Sequence, residues 1–143
     1  MQKIAKVGSG RVGETTAQIQ ARDEASREIM LVDVDDGVPQ GVALDIQQSA
    51  SLLRFDTRVS GATTPSSMAG SDLVIITAGF ARKPGMSRSD VLASNLSIVD
   101  SIIANVLEYA PRALIMMVTN PVDVLTWYAY TRTGWPRSRV FGQ

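Results

Sequence analysis

Short apolar runs alternate with amphipathic segments along the whole chain. The apolar runs predict strands at 3–7, 28–33, 55–61, 72–77, 113–118 and 140–142. The segments between them with helical periodicity predict helices at 12–23, 39–51, 90–109 and 122–133. The run at 72–77 is apolar almost throughout, which is typical of a strand buried on both faces of a parallel sheet. The alternation therefore predicts an α/β fold, a doubly wound parallel sheet in the order 3-2-1-4-5-6.

A glycine-rich turn follows the first predicted strand. Gly8, Gly10 and Gly13 form a G-x-G-x-x-G pattern just before the first helix. In dinucleotide-binding turns the first glycine permits the sharp turn, the second lets a pyrophosphate approach the backbone, and the third lets the helix pack closely. The positive end of that helix then faces the phosphates. Because glycine-rich turns are common, the hypothesis needs a second feature.

Asp33 supplies that feature at the end of the second predicted strand, 20 residues after Gly13. An acid at this spacing accepts hydrogen bonds from the adenosine ribose hydroxyls. It favours NAD over NADP, because a carboxylate repels the 2′-phosphate. The alternative is a solvated loop acid or a helix N-cap, roles that Asp35 and Asp36 suit better.

Two further segments fall at the carboxyl ends of strands, where ligands bind in such sheets. Arg82 and Arg88 lie six residues apart on the basic loop after the fourth strand. One guanidinium can bind a substrate carboxylate while the other polarises a carbonyl; the alternative is a solvated basic loop. Asn120 can orient a substrate hydroxyl or the nicotinamide ribose, or it is a turn residue before Pro121. The Asn120–Pro121 bond is also a candidate cis peptide.

Composition narrows the function classes. The chain has 143 residues, a size that fits one domain, and lysine plus arginine equals aspartate plus glutamate at 14 each. Nothing in this balance indicates a nucleic-acid or membrane partner. The absence of cysteine excludes disulfides and thiolate chemistry, and no metal site is predicted. No apolar run is long enough for a membrane span and no signal peptide precedes the first strand, so we expect a cytoplasmic location.

Four segments together resemble the lactate/malate dehydrogenase family, namely 7–13, 37–45, 76–90 and 118–123. The resemblance covers essentially the whole chain. It implies that Arg88 polarises the substrate carbonyl, that Asn120 contacts substrate and cofactor, and that Arg82 binds the second carboxylate of malate or oxaloacetate. Lactate dehydrogenases typically carry glutamine at the position of Arg82. The implied NAD-binding residues are Gly8, Gly10, Arg11, Val12, Gly13, Asp33, Thr77, Ala78, Gly79, Asn95, Val118 and Asn120.

The sequence departs from that family in one respect. The family's substrate-binding arginine and its Asp–His proton relay lie beyond the sixth strand, and this chain contains no histidine. We therefore expect residues 1–143 to be the dinucleotide-binding domain of a malate dehydrogenase, without the catalytic domain, and homo-oligomeric in full-length form. It should bind NAD(H) with negligible turnover and expose apolar surface to water. The alternatives are a stand-alone, non-catalytic NAD-binding module, a fragment of a lactate or other 2-hydroxy acid dehydrogenase, or, with a poorer fit to the loop motif, another Rossmann enzyme such as a methyltransferase.

Overall fold

The computed structural model describes residues 1–81 and 83–143. Its strands are β1 (Lys3–Val7), β2 (Glu28–Val32), β3 (Arg58–Ala62), β4 (Leu73–Ile76), β5 (Leu114–Met117) and β6 (Val140–Gly142). Its α-helices are α1 (Arg11–Arg22), α2 (Val38–Gln48), α3 (Ala50–Leu53), α4 (Arg88–Tyr109) and α5 (Val122–Thr133). Short 3₁₀ turns occupy Pro65–Met68 and Arg137–Arg139.

The strands form a parallel sheet in the order β3-β2-β1-β4-β5-β6, which confirms the predicted fold. The strand β1 lies between β2 and β4, with Ile4 opposite both Ile29 and Leu73. The strand order therefore reverses beside β1. Ligands in open α/β sheets bind in the crevice outside the carboxyl ends of the strands at such a reversal.

Alternate residues of each strand face opposite helical layers. On one face, residues such as Ala5, Val74 and Ile115 pack in a cluster with buried positions of α4 and α5. On the other face, Ile29 and Leu31 pack with alanines of α1 and α2. Helices therefore pack on both faces of the sheet, on one against β1, β4 and β5 and on the other against β2 and β3.

A third apolar cluster lies on the α1 side of β1, β4 and β5. Its buried members are Ile4, Leu73 and Ile75, and its half-buried members come from β5 and the residue after it. No helical residue in the described part of the chain belongs to it. Phe141 of β6, opposite Met116, is 37% exposed. Ile4, Leu73 and Ile75 are themselves buried, so the expectation of open apolar surface stays a prediction.

Two predicted boundaries in the first half of the chain differ from the structure. The helix predicted over 39–51 is divided at Ser49 into α2 and α3, and Arg54 ends α3 with a left-handed φ of 58°. The third strand begins at Arg58 instead of residue 55. Phe55 precedes the strand and packs in the core with residues of α1, α2 and β2. Its apolar side chain therefore reflects burial in the core and not pairing in the sheet.

The helix α4 begins two residues earlier than predicted because of a capping box. The Ser87 hydroxyl accepts from the Asp90 N–H at 3.1 Å, and the Asp90 carboxylate accepts from the Ser87 N–H at 2.9 Å. By length and composition alone, with a mean hydropathy of 1.4, α4 is apolar enough to cross a membrane. Its buried residues, however, pack in the core against the sheet, as in the core helix of a globular protein.

One charged side chain lies inside the fold. Lys6 of β1 is fully buried, and its ammonium donates to the Gln20 side chain of α1 at 3.3 Å. Burial lowers the pKa of Lys6 from 10.5 to about 8, because a charged group is poorly solvated there. At about 1.4 kcal/mol per pKa unit, the buried ammonium lowers the free energy of unfolding by about 3 kcal/mol.

We predict that Lys6→Met raises the stability at pH 7 by a few kcal/mol. Between pH 8 and 10.5 the unfolded state of the wild type binds more protons at this lysine than the folded state does. The wild type should therefore gain stability as the pH rises through this window, and Lys6→Met should not. Urea unfolding at pH 7, 8.5 and 10 measures both effects.

The matched control is Lys3→Met on the same strand, where the lysine is only half-buried and lies beside Glu28 at 3.5 Å. That variant should keep the wild-type rise above pH 8. An equal rise in Lys6→Met would show that another group causes it.

Candidate functional site

The turn between β1 and α1 packs between the carboxyl ends of β2 and β4. The Gly8 N–H donates to the Val32 carbonyl at 2.8 Å, and Gly8 adopts a φ of 107°. A Cβ on Gly8 would lie 2.6 Å from the Ala78 nitrogen. Both the backbone conformation and the lack of space therefore require glycine here.

The other two glycines of the turn have different surroundings. A Cβ on Gly13 would lie 1.9 Å from the Gly8 carbonyl oxygen, so α1 packs directly on the turn. A Cβ on Gly10 would meet nothing within 4 Å, and Gly10 caps α1 without a side-chain hydrogen bond. The backbone at the start of α1 is thus open beside N–H groups that have no partner within the helix, which suits an anionic group such as a phosphate.

Asp33 closes this turn from the end of β2. Its carboxylate accepts from the Ser9 N–H at 2.6 Å and, through the other oxygen, from the Val34 N–H at 2.7 Å. The side chain is half-buried. Because a carboxylate has about four acceptor positions, these contacts hold Asp33 in place and leave positions for ligand hydroxyls.

A cavity of about 770 Å³ opens at this point. Of the predicted cofactor-binding residues, it is lined by Gly8, Gly10, Asp33, Thr77, Ala78 and Gly79. The structure therefore brings the glycine turn, the end of β2 and the end of β4 together around one space. Arg11, Val12, Gly13, Asn95, Val118 and Asn120 are outside its lining, as is Arg88.

The walls of the cavity include side chains that no sequence motif assigns to a ligand. Apolar members are Val34, Val38, Pro65, Met68, Ile98 and Ile102, and polar members of α4 are Ser97, Ser101 and Asn105. The α4 residues recur at spacings of three and four, so they share a helix face. The periodicity indicated that α4 is amphipathic, but it could not separate a core position such as Ile102 from a cavity wall.

Side-chain hydroxyls join the strand ends that surround the cavity. The Thr77 hydroxyl donates to the Gly8 carbonyl at 3.0 Å, which ties β4 to the glycine turn. The Thr119 hydroxyl donates to the Ala78 carbonyl at 2.7 Å, which ties β5 to β4. The carboxyl edge is thus a connected unit.

Asn95 lies beneath this edge and is 1% exposed. Its Oδ1 accepts from the Phe80 N–H at 2.8 Å, and its Nδ2 donates to the Asn120 carbonyl at 2.8 Å. One α4 side chain therefore holds the beginning of the basic loop and the turn after β5. The Asn120–Pro121 peptide is cis, and Asn120 itself is exposed.

Of the two arginines of the predicted substrate loop, the structure describes Arg88. Arg88 is the first residue of α4 and is exposed, directly after the Ser87 cap. Arg82 lies outside the described residues. The sequence contains a signal for this helix start, the S-x-x-D capping pattern at 87–90, from which Arg88 could have been predicted to lie on α4.

The residues around the turn fit a bound dinucleotide. Ser9 lies between Gly8 and Gly10 of the glycine turn. Its hydroxyl is buried and has no hydrogen-bond partner among the described residues. Together with the unpaired N–H groups of α1 and the half-buried Asp33, it leaves polar capacity around the cavity that a ligand would satisfy.

The model of the lactate/malate dehydrogenase NAD-binding domain matches residues 2–142. The chain belongs to the lactate/malate dehydrogenase family. Its cofactor is NAD, and the cavity at the glycine turn is the place in the fold that suits it.

Individual relatives agree with this assignment to the dehydrogenase family. Malate dehydrogenase of Nitrosococcus oceani is 59% identical over 143 residues, which are 100% of this chain and 46% of that protein. Malate dehydrogenase of Thioalkalivibrio sulfidiphilus is 55% identical over all of this chain and 47% of its own length. The chain thus spans about half the length of the curated relatives that it matches.

Solved structures of family members have the same fold. Malate dehydrogenase of Archaeoglobus fulgidus in complex with NADH superposes with a TM-score of 0.94 at 38% identity, over 99% of this chain and 48% of that one. Lactate dehydrogenase of Cryptosporidium parvum, complexed with lactic acid and nicotinamide adenine dinucleotide, gives a TM-score of 0.92 at 37% identity, over 99% and 44%. The fold of this dehydrogenase domain is therefore common to both substrate classes.

We predict that Asn95→Asp destabilises this dehydrogenase domain by more than about 2 kcal/mol at pH 8. The variant keeps the acceptor for the Phe80 N–H but places a buried carboxylate oxygen against the Asn120 carbonyl. The loss should be smaller at pH 5, where protonation of the carboxyl restores a donor. Thermal melts followed by circular dichroism at the two pH values provide the measurement.

Asn105→Asp is the matched control, because Asn105 lies on the same helix and makes no hydrogen bond with a described residue. Its stability should change by less than about 0.5 kcal/mol. Equal losses in the two variants would mean that the contacts of Asn95 do not hold the strand ends.

Proposed function

We propose that this chain is the NAD(H)-binding domain of a malate dehydrogenase, whose full-length form interconverts malate and oxaloacetate by hydride transfer. The glycine turn closed by Asp33 carries the cofactor part of the proposal. The malate dehydrogenase relatives and the presence of arginine at position 82 support the substrate part.

The start of α1 would hold the pyrophosphate. Its unpaired N–H groups and the positive end of the helix dipole attract the anion, and Gly10 leaves the backbone accessible. Asp33 would accept hydrogen bonds from the adenosine ribose hydroxyls. Asp33 and Asp35 both line the cavity, so a 2′-phosphate would enter a region of negative charge.

The residues after β4 and β5 would act on the substrate. Arg88 would polarise the substrate carbonyl as negative charge develops on its oxygen, and Arg82 would bind the second carboxylate. Asn120 would orient the substrate and the nicotinamide ribose. When NAD(H) is bound it supplies the hydride chemistry, while the protein supplies orientation and electrostatics.

A non-catalytic NAD-binding module is the second candidate function. It is favoured by the composition of the chain, because the 143 residues include no histidine to act as a proton carrier near neutral pH. The arginine at position 88 favours the dehydrogenase instead, since simple cofactor binding does not need a group that polarises a carbonyl. Turnover separates the two candidates.

We predict that the 143-residue chain binds NADH saturably and binds NADPH at least about tenfold more weakly, a difference of about 1.4 kcal/mol. The repulsion between Asp33 and the 2′-phosphate is the physical reason. Isothermal titration calorimetry with both cofactors gives the two dissociation constants, and a circular dichroism melt of the same sample reports whether the chain is folded.

Asp33→Asn tests the role of the charge, because the amide oxygen still accepts from the Ser9 N–H. This variant should bind NADH more weakly and lose most of the discrimination against NADPH. A folded wild-type chain that binds neither cofactor would refute the dinucleotide site. Unchanged discrimination in Asp33→Asn would assign the preference to other residues.

We also predict that the chain reduces oxaloacetate at a negligible rate with saturating NADH. The loss of a general acid–base group alone lowers a rate by about 10² to 10⁴-fold. Absorbance at the NADH band, with a full-length malate dehydrogenase as the positive control, measures the rate. Turnover within tenfold of the full-length enzyme would contradict the proposal.

A further inference from the structure

The lining of the cavity carries acidic side chains but no basic one. Among its described residues, Asp33 and Asp35 are acidic, and none is a lysine or an arginine. A bound dinucleotide would bring the negative charges of its two phosphates into this space. The N-terminus of α1 opposes them with only about half an elementary charge. Binding of the phosphates would therefore gain from a positive charge outside the lining.

One such charge lies beneath the glycine turn, between the two elements that the turn joins. Lys6 precedes Gly8 by two residues on β1 and is fully buried. Its ammonium donates to the Gln20 side chain of α1 at 3.3 Å, and α1 begins at the turn. The cation is therefore held between the strand that enters the turn and the helix that follows it.

The ammonium of Lys6 forms no ion pair with a described residue. Lys6 lies opposite Leu31 of β2 and Ile75 of β4, which are both buried apolar residues. Lys3 and Glu28, on the opposite face of the sheet, pair with each other at 3.5 Å. The charged side chains of α1 are exposed to solvent, namely Arg11, Glu14 and Arg22. The charge of Lys6 is thus not neutralised by a neighbour, and its burial reduces screening by salt.

The start of α1 is near enough for this charge to act on bound phosphates. A helix rises about 1.5 Å per residue, so Gln20, the partner of Lys6, lies roughly 10–14 Å from the N–H groups of residues 11–13. At about 12 Å and an effective dielectric constant of about 20, the attraction between two opposite unit charges corresponds to about tenfold in affinity. Salt lowers this factor.

We propose that the buried ammonium of Lys6 strengthens the binding of the dinucleotide phosphates from inside the fold, in addition to the N-terminus of α1. The inference rests on the proposed NAD(H) binding and adds to it a residue that does not line the cavity. The coupling is reciprocal, so bound phosphates also favour the charged form of the lysine. Burial lowers the pKa of Lys6 to about 8, and the contribution is therefore present at pH 7 and lost as the pH rises above 8.

Calorimetric titration with NADH at pH 7 and at pH 10, at low ionic strength, tests this proposal. At pH 7, Lys6→Met should bind NADH at least about threefold more weakly than the wild type. At pH 10, where the lysine is largely neutral, the two dissociation constants should agree within about twofold. A change in the packing of α1 would weaken binding at both pH values, so the comparison separates charge from packing.

Lys3→Met is the matched control, because Lys3 is on the same strand but pairs with Glu28 on the opposite face of the sheet. It should bind NADH as the wild type does at both pH values. Equal binding by the wild type and folded Lys6→Met at pH 7, or a loss that persists at pH 10, would overturn the role of the Lys6 charge while leaving the NAD(H) site intact. Failure of the folded wild type to bind NADH would instead overturn the proposed function, and this inference with it.

Discussion

The rest of the site depends on the close approach of α1 to the turn that precedes it. The carbonyl oxygen of Gly8 occupies the space where a side chain on residue 13 would lie. This contact fixes where α1 begins, and so where its unpaired N–H groups point. Asp33 adds the second constraint, because its bond to the Ser9 N–H joins the turn to the end of β2. These two contacts fix the positions of β1, α1 and β2 relative to one another, and the cofactor cavity lies where the three elements meet.

Short hydrogen bonds join the other strand ends of the carboxyl edge to the glycine turn. Thr77 joins β4 to the glycine turn, and Thr119 joins β5 to the end of β4. Asn95 joins α4 to the loop after β4 and to the turn after β5. The helix α4, which begins with Arg88, and the turn that carries Asn120 are thus connected to the turn that would bind the pyrophosphate. Preorganised positions of this kind are what hydride transfer requires of a protein, since the cofactor supplies the reactive groups.

The sequence predicts most of the fold because its signals are local. Glycine positions, apolar runs and the spacing of Asp33 depend on a few neighbouring residues, and the strand order follows from general rules for α/β sheets. Phe55 shows the limit of such signals. Its burial against α1 and α2 depends on residues distant in the sequence, so an apolar pattern alone extends β3 too far.

The candidate site was predictable to a lesser degree for the same reason. The motif residues on the turn and at the ends of β2 and β4 meet at the cavity, whereas the wall from α4 depends on how that helix docks on the sheet. The resemblance implies that Asn95 is a cofactor residue, and this stays a prediction; in the structure its amide contacts the backbone of Phe80 and Asn120. Only the folded arrangement distinguishes an amide that faces a ligand from one that joins two loops.

A crystal structure of the chain grown with NADH would show whether the glycine turn and Asp33 hold the cofactor. We expect pyrophosphate oxygens on the N–H groups of residues 10–13 and adenosine ribose hydroxyls about 2.7 Å from the Asp33 carboxylate. The dinucleotide bound at another surface, with Asp33 contacting only the Ser9 and Val34 N–H groups, would contradict it.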